Sequence, residues 1–215
     1  EAFDVRSNKK GDVVDTDKIL KKYNNSLTMS NKLVYIEKYN KFGSFKERDE
    51  ISSITLHARF ATSSRGFHNT HPFVDFDTET SIVHNGVINN VGKEDNIRST
   101  CDSERILNKY LKYQVNINPD NISKVADALT GYYRVGAFAK DANGKRILDV
   151  FKCDTYGGLQ SGYVVELGAM VFTTDIDDLK KVCSSLQLTL AAEFKFADST
   201  MVRLDAITGE VMLTK

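Results

Sequence analysis

A mainly antiparallel α+β domain is the fold class this sequence predicts. Short runs of alternating apolar and polar residues recur along the second half of the chain, separated by turns bearing Gly and Asn. Between them stand a few longer segments with apolar residues at helical spacing. The chain has 215 residues, of which 41% are hydrophobic and 27% charged, an ordinary composition with length enough for a real core. Hairpins clustered around a few helices belong to the α+β class. One domain over residues 1–215 is expected, because no repeat, long linker or low-complexity tract divides the chain.

Taken in order, Lys9-Lys10-Gly11-Asp12 reads as a turn between short strands. Asp15 to Asn25 suits a short helix, with Ile19, Leu20 and Tyr23 on one face and Asp15 or Thr16 as cap. Leu33 to Tyr39 alternates as a strand does, and Lys41 to Glu50 is polar and reads as exposed. Ser53 to Phe60 is a strand running into a loop over Ala61 to Gly66. Thr80 to His84 is a short strand, stopped by Asn85-Gly86. Asp102 to Leu111 places Ile106, Leu107, Tyr110 and Leu111 at helical spacing, with acids in its first turn. Asn121 to Leu129 repeats that pattern through Ile122, Val125, Ala126 and Leu129. Tyr132 to Ala139 and Arg146 to Lys152 form a hairpin about Asp141-Ala-Asn-Gly144. Tyr163 to Leu167 and Ala169 to Thr174 form another around Gly168. Asp175 to Leu186 reads as a helix. Phe194 to Phe196, Thr200 to Leu204 and Glu210 to Leu213 finish the chain as strands, the last two joined at Thr208-Gly209.

Charge and cysteine content narrow the function classes. The 29 Lys and Arg residues balance 29 Asp and Glu, which argues against binding nucleic acid through bulk charge. No apolar run approaches the roughly 18–20 residues of a membrane span, so no membrane partner is expected. Cys101, Cys153 and Cys183 are widely spaced and odd in number. That is no disulfide framework, and it points to a reducing, cytoplasmic setting.

All 4 histidines, His57, His68, His71 and His84, fall within residues 57–84. His68 and His71 are close enough in sequence to share a metal, with His57 and His84 to complete a site. No Cys or carboxylate stands at a familiar zinc spacing, so the site assignment carries no metal. Within apolar strand patterns, His57 and His84 also read as hydrogen-bonded core histidines.

A second pattern takes in more residues. It consists of His57-Ala-Arg-Phe-Ala-Thr62, Asn69-Thr-His-Pro72, Val83-His-Asn-Gly-Val-Ile-Asn-Asn90 and Cys101-Asp-Ser-Glu104. In order and spacing these blocks resemble the class II glutamine amidotransferases, the glutaminase domains of the N-terminal-nucleophile (Ntn) hydrolase group. The family pattern is His-x-Arg-aromatic-Ala-Thr, then Asn-x-His-Pro, then His-Asn-Gly-x-(Ile or Leu)-x-Asn, then (Ser or Thr)-Asp-(Ser or Thr)-Glu. A lone His-Asn-Gly is a weak signal; the blocks in order from His57 to Glu104 are a specific one. The similarity is nearest to the sugar-phosphate and phosphoribosyl branches. It implies a four-layer α/β/β/α sandwich with two antiparallel sheets. It also implies hydrolysis of glutamine to glutamate and ammonia through a γ-glutamyl thioester, with no cofactor. Ammonia would pass to a synthase domain or partner chain.

The chemistry of each block suits that implication. Glutamine is a zwitterion with a reactive amide, so its site needs a cation, an anion and donors for the amide oxygen. The resemblance assigns Arg59 to the α-carboxylate, which a planar guanidinium grips with two bonds. It assigns Asp102 to the α-ammonium, although Asp102 alone reads as a helix N-cap, and one carboxylate can serve both. Asn85 and Gly86 become the oxyanion hole, where one lost donor typically costs ~3–4 kcal/mol of transition-state stabilisation. Without the other blocks, Asn85-Gly86 reads as a hairpin turn. Phe60, Thr62 and His71 match positions lining the glutamine pocket, with core or loop packing as the alternative. Ser63-Ser64 replace the His-Gly that many relatives carry, and Phe73 stands where His is frequent.

The family nucleophile is a Cys at the mature N-terminus, whose α-amino group acts as base with a pKa of roughly 7.7–8.0. Residue 1 here is Glu, and Glu1-Ala-Phe-Asp4 resembles the end of a segment that in the family follows the first strand and helix. The expectation is therefore a domain whose first strand and helix, with the nucleophile, are missing from this chain. A separate polypeptide would supply them. The alternative is a catalytically inactive module with a structural or interaction role.

Overall fold

Strands form where side chains alternate between two covered faces, and helices where the apolar positions fall on one stripe. The computed structural model describes residues 57, 69, 71–89, 97–153 and 158–215. Its strands are β1 (Phe73–Asp75), β2 (Thr80–Ile88), β3 (Gly131–Lys140), β4 (Arg146–Lys152), β5 (Gln160–Val164), β6 (Ala169–Thr173), β7 (Leu190–Lys195), β8 (Met201–Asp205) and β9 (Val211–Thr214). Its α-helices are α1 (Ser103–Lys112), α2 (Ile122–Ala128) and α3 (Ile176–Ser185), with a short 3-10 turn at Pro119–Asn121 before α2.

Among the described residues these strands make two antiparallel sheets. The larger has the order β1-β2-β3-β4-β8-β9 and the smaller β6-β5-β7. One face of the larger sheet carries Ile82, Tyr133, Val135, Ala137, Ile147, Phe151 and Met201. Ile106, Leu107 and Tyr110 of α1 and Val125 of α2 pack against it, which is why those positions recur at helical spacing. The other face presents Val150 and Leu204, with Leu148 and Val202 beside them, to Leu159, Phe172 and Phe196 of the smaller sheet's inner side. On that sheet's outer side lies α3, whose Lys180 pairs with Glu193 of β7 at 2.8 Å. The layers are thus helix, sheet, sheet, helix. Asp175 starts α3 as an N-cap, its carboxylate accepting from the N–H groups of Asp177 and Asp178 at 3.0 and 3.2 Å.

One polar cluster sits inside the helix-side core. Asp149 is fully buried and accepts from Tyr110 Oη at 2.6 Å and from Arg203 Nε at 2.7 Å. The Arg203 guanidinium donates further to the carbonyls of Val115 and Asn116, at 2.8 and 3.1 Å. Burial, then the Asp149 charge, holds the Tyr110 hydroxyl protonated, its pKa well above the usual tyrosine value. A buried ion pair persists only when its remaining lone pairs and protons are satisfied in this way.

The observed elements differ from the expected ones in places. β2 does not stop at Asn85-Gly86 but runs to Ile88. β7 begins at Leu190, earlier than expected, and β1 was not foreseen because three residues are too few to show a period. The expected turn at 9–12, helix at 15–25, strand at 33–39 and polar stretch at 41–50 lie outside the described residues. So does the strand at 53–60 except for His57. No helix among the described residues is long and apolar enough to cross a membrane.

Candidate functional site

β2 carries the third block, and its alternation separates two roles. His84 points to the helix side with Ile82 and Ile88, while Asn85 leaves the sheet on the opposite side. The Asn85 side chain is exposed. Asn85 pairs with Arg134 and Gly86 with Tyr133 of β3, so the Asn-Gly pair lies within a ladder and makes no hairpin turn. The physical reason is at Gly86, where φ is +148° and a Cβ would overlap the Tyr132 carbonyl oxygen. Only a residue lacking Cβ lets β2 continue so close to β3.

Asp102 precedes α1, but its side chain caps nothing there. Instead its Oδ2 accepts from the N–H of Ile88 at 2.7 Å, tying the start of the helix to the end of β2. The Cys101 sulfur lies 3.6 Å from Oδ1. Each carboxylate oxygen has a further lone pair for another donor. Glu104 is buried and accepts from the N–H groups of Ser99 and Arg98 at 2.7 and 3.1 Å. Burial alone would raise its pKa, but the bonds from Ser99 and Arg98 hold it below the usual glutamate value. Glu104 therefore shapes the turn ahead of α1, a role the sequence reading did not assign it.

The blocks are joined by direct bonds. Asn69 donates to Thr100 Oγ1 and accepts from the Thr100 N–H, both at 2.9 Å. His84 Nδ1 lies 2.8 Å from Ser103 Oγ. The buried His71 ring stands 4.2 Å from His57, 5.0 Å from Phe73 and 6.4 Å from His84, centroid to centroid. His57, Asn69, His71, His84 to Gly86, and Asp102 are thus gathered where β2 meets the start of α1. Arg59, Phe60, Thr62 and His68 lie outside the described residues. His84 has its pKa lowered to about 4, first by burial and further by the charges of His57 and Arg134, with Asp102 pulling the other way. It is neutral at pH 7. Although three histidine rings meet, no group of three or more His, Cys, Asp or Glu side chains among the described residues is arranged to hold a metal.

Cys101 is 1% exposed and its thiol donates to Ser103 Oγ at 3.3 Å. Cys183 is buried in α3, and the Cys153 thiol donates to the Gly131 carbonyl at 3.4 Å. Two residues that sequence reasoning missed share the sheet face of Asn85: Arg134 on β3 and Lys152 on β4. Their signal was a charge inside an apolar alternation, at the phase opposite to the core positions.

No protein-family model matches the sequence, and no curated protein matches it. Solved structures do. Glutamine phosphoribosylpyrophosphate amidotransferase from B. subtilis, complexed with ADP and GMP, aligns with a TM-score of 0.55 and 15% identity. The alignment covers 74% of this chain and 33% of that one. The structure of an allosteric regulatory enzyme of purine biosynthesis aligns with a TM-score of 0.54 and 15% identity, over 69% of this chain and 32% of that one. This chain therefore spans about a third of the length of either. At such identity the likeness establishes architecture: the chain has the α/β/β/α sandwich of two antiparallel sheets found in Ntn-hydrolase domains.

Proposed function

We propose that the chain, acting as one domain, is a class II glutaminase that converts glutamine to glutamate and ammonia through a thioester. The observation that carries this reading is the convergence of the motif blocks on one point of the fold. Asn69 bonds Thr100, His84 bonds Ser103, and Asp102 bonds the strand that holds Asn85 and Gly86. In this reading Asn85 and the Gly86 backbone supply the oxyanion donors, and Asp102 takes the substrate ammonium. Arg59 grips the α-carboxylate, with Phe60, Thr62 and His71 lining the pocket. A thiolate from an N-terminal segment on another polypeptide attacks the amide carbon, and its own amino group carries the proton. Ammonia leaves for a synthase domain or partner chain. Three widely spaced cysteines, odd in number, support a reducing, cytoplasmic setting.

A catalytically inactive module is the second reading, favoured by the burial of Cys101 behind Ser103. The two are separated by glutamate release from glutamine, measured for the chain alone and with an N-terminal piece bearing the Cys. Release only with the added piece is expected. No release in either case, together with no protection by glutamine against heating, overturns the glutaminase reading.

A further inference from the structure

One row of the larger sheet reads Asn85, Arg134, Lys152 across three adjacent strands. Asn85 pairs with Arg134 between β2 and β3, and Arg134 with Lys152 between β3 and β4. Directly paired side chains leave a sheet on the same side, with Cβ atoms about 4.5–5.5 Å apart. Lys152 is in phase with Leu148 and Val150, so the row lies on the face turned to the smaller sheet.

Both cations are withdrawn from water, Arg134 at 7% exposure and Lys152 at 4%. Lys152 has a counter-ion in Asp198, at 3.0 Å. Arg134 has no carboxylate partner among the described residues. Its Nε makes no hydrogen bond, and its guanidinium carbon lies 5.7 Å from the centre of the Tyr132 ring. Tyr132 pairs with Val87, so the guanidinium leans along the Asn85–Val87 stretch of β2. Like charges on paired positions repel, and a buried cation without an anion is costly. Among the described residues the row holds two cations and one carboxylate. Arg134, the member with no carboxylate partner among the described residues, stands beside Asn85, the exposed end of the row.

We propose that Arg134, backed by Lys152, is an anion-binding residue of this site and receives a carboxylate seated at Asn85. The proposal rests on the glutaminase reading, in which the group beside Asn85 is the substrate's side-chain amide. The matching anion is then the γ-carboxylate of glutamate. A guanidinium binds a carboxylate with two bonds between opposite charges and a neutral amide oxygen with one bond and no opposite charge. Arg134 thus makes the site discriminate between product and substrate: the chain holds glutamate more tightly than glutamine, and glutamate inhibits its own formation.

The test is calorimetric titration of the whole chain with L-glutamate and with L-glutamine, in wild type, Arg134→Met and Arg134→Lys. Wild type is expected to prefer glutamate by about tenfold or more, the scale of one charge-assisted hydrogen bond. Arg134→Met should lose more glutamate affinity than glutamine affinity, bringing the two within about twofold. Arg134→Lys should fall between, keeping the charge and losing the fork. Equal affinities in wild type overturn the proposal. So does an unchanged preference in Arg134→Met with a lowered melting temperature, which would assign Arg134 an internal counter-ion. Should Arg134→Met not fold, an unchanged preference in Arg134→Lys overturns it too. Binding of neither amino acid by wild type defeats the glutaminase reading itself, whereas glutamine binding without a glutamate preference defeats only the role of Arg134.

Discussion

At Gly86 the backbone holds φ at +148° and any Cβ would overlap the Tyr132 carbonyl. Gly86→Ala must either push β3 away or bend β2, at about 1–3 kcal/mol for the strained backbone alone. Chemical denaturation should show that loss, and on the proposed glutaminase reading glutamate release should fall with it. His84, two residues upstream, makes a pH prediction. Its folded pKa of about 4 lies below the ordinary 6.5, so between those values the unfolded chain binds the extra proton. Its contribution is complete above pH 6.5 and is lost as the pH falls toward 4, at most roughly 3 kcal/mol in total. Unfolding midpoints followed from pH 7 to pH 4 should fall more steeply for wild type than for His84→Gln. Parallel curves would show that His84 is not the titrating group. At this scale the sequence was informative about residue type and silent about surroundings. The motif named His84, Asn85 and Asp102, yet nothing in it told whether Asp102 caps α1 or bonds Ile88.

Among the elements, α1 depends on contacts ahead of its first turn. Glu104 accepts two backbone N–H groups from residues 98 and 99 and so fixes the turn that leads into the helix. Glu104→Gln keeps the shape and removes the charge from those bonds. A loss of about 1–3 kcal/mol is expected, read as a lowered denaturation midpoint. The elements themselves were largely legible. The hairpins at 131–152 and 201–214 and the helices at 103–112 and 176–185 show clear periods bounded by turn residues. β2 was misjudged because Asn-Gly is a strong turn signal taken locally. What overrides it is the pairing of Gly86 with Tyr133, a residue far along the chain, and no local pattern contains that contact.

Across the whole molecule, the Tyr110–Asp149–Arg203 cluster binds α1, β4 and β8 into one core. Removing one partner strands a buried charge. Asp149→Ala should therefore cost about 3–5 kcal/mol, and Tyr110→Phe closer to 1 kcal/mol, both measured by denaturant unfolding. Asp149→Ala as stable as wild type would refute the account. By itself the sequence determined the fold class, the order of the motif blocks and the residue types of the proposed site, because periodicity and short motifs are local properties of a chain. Tertiary structure alone decided that these blocks meet where β2 joins α1, and that Cys101 is sealed behind Ser103. It alone set Arg134 between Asn85 and Lys152. Strand register makes that choice: a slip of one residue would turn each of those side chains to the other face, and register is fixed by packing between segments distant in sequence.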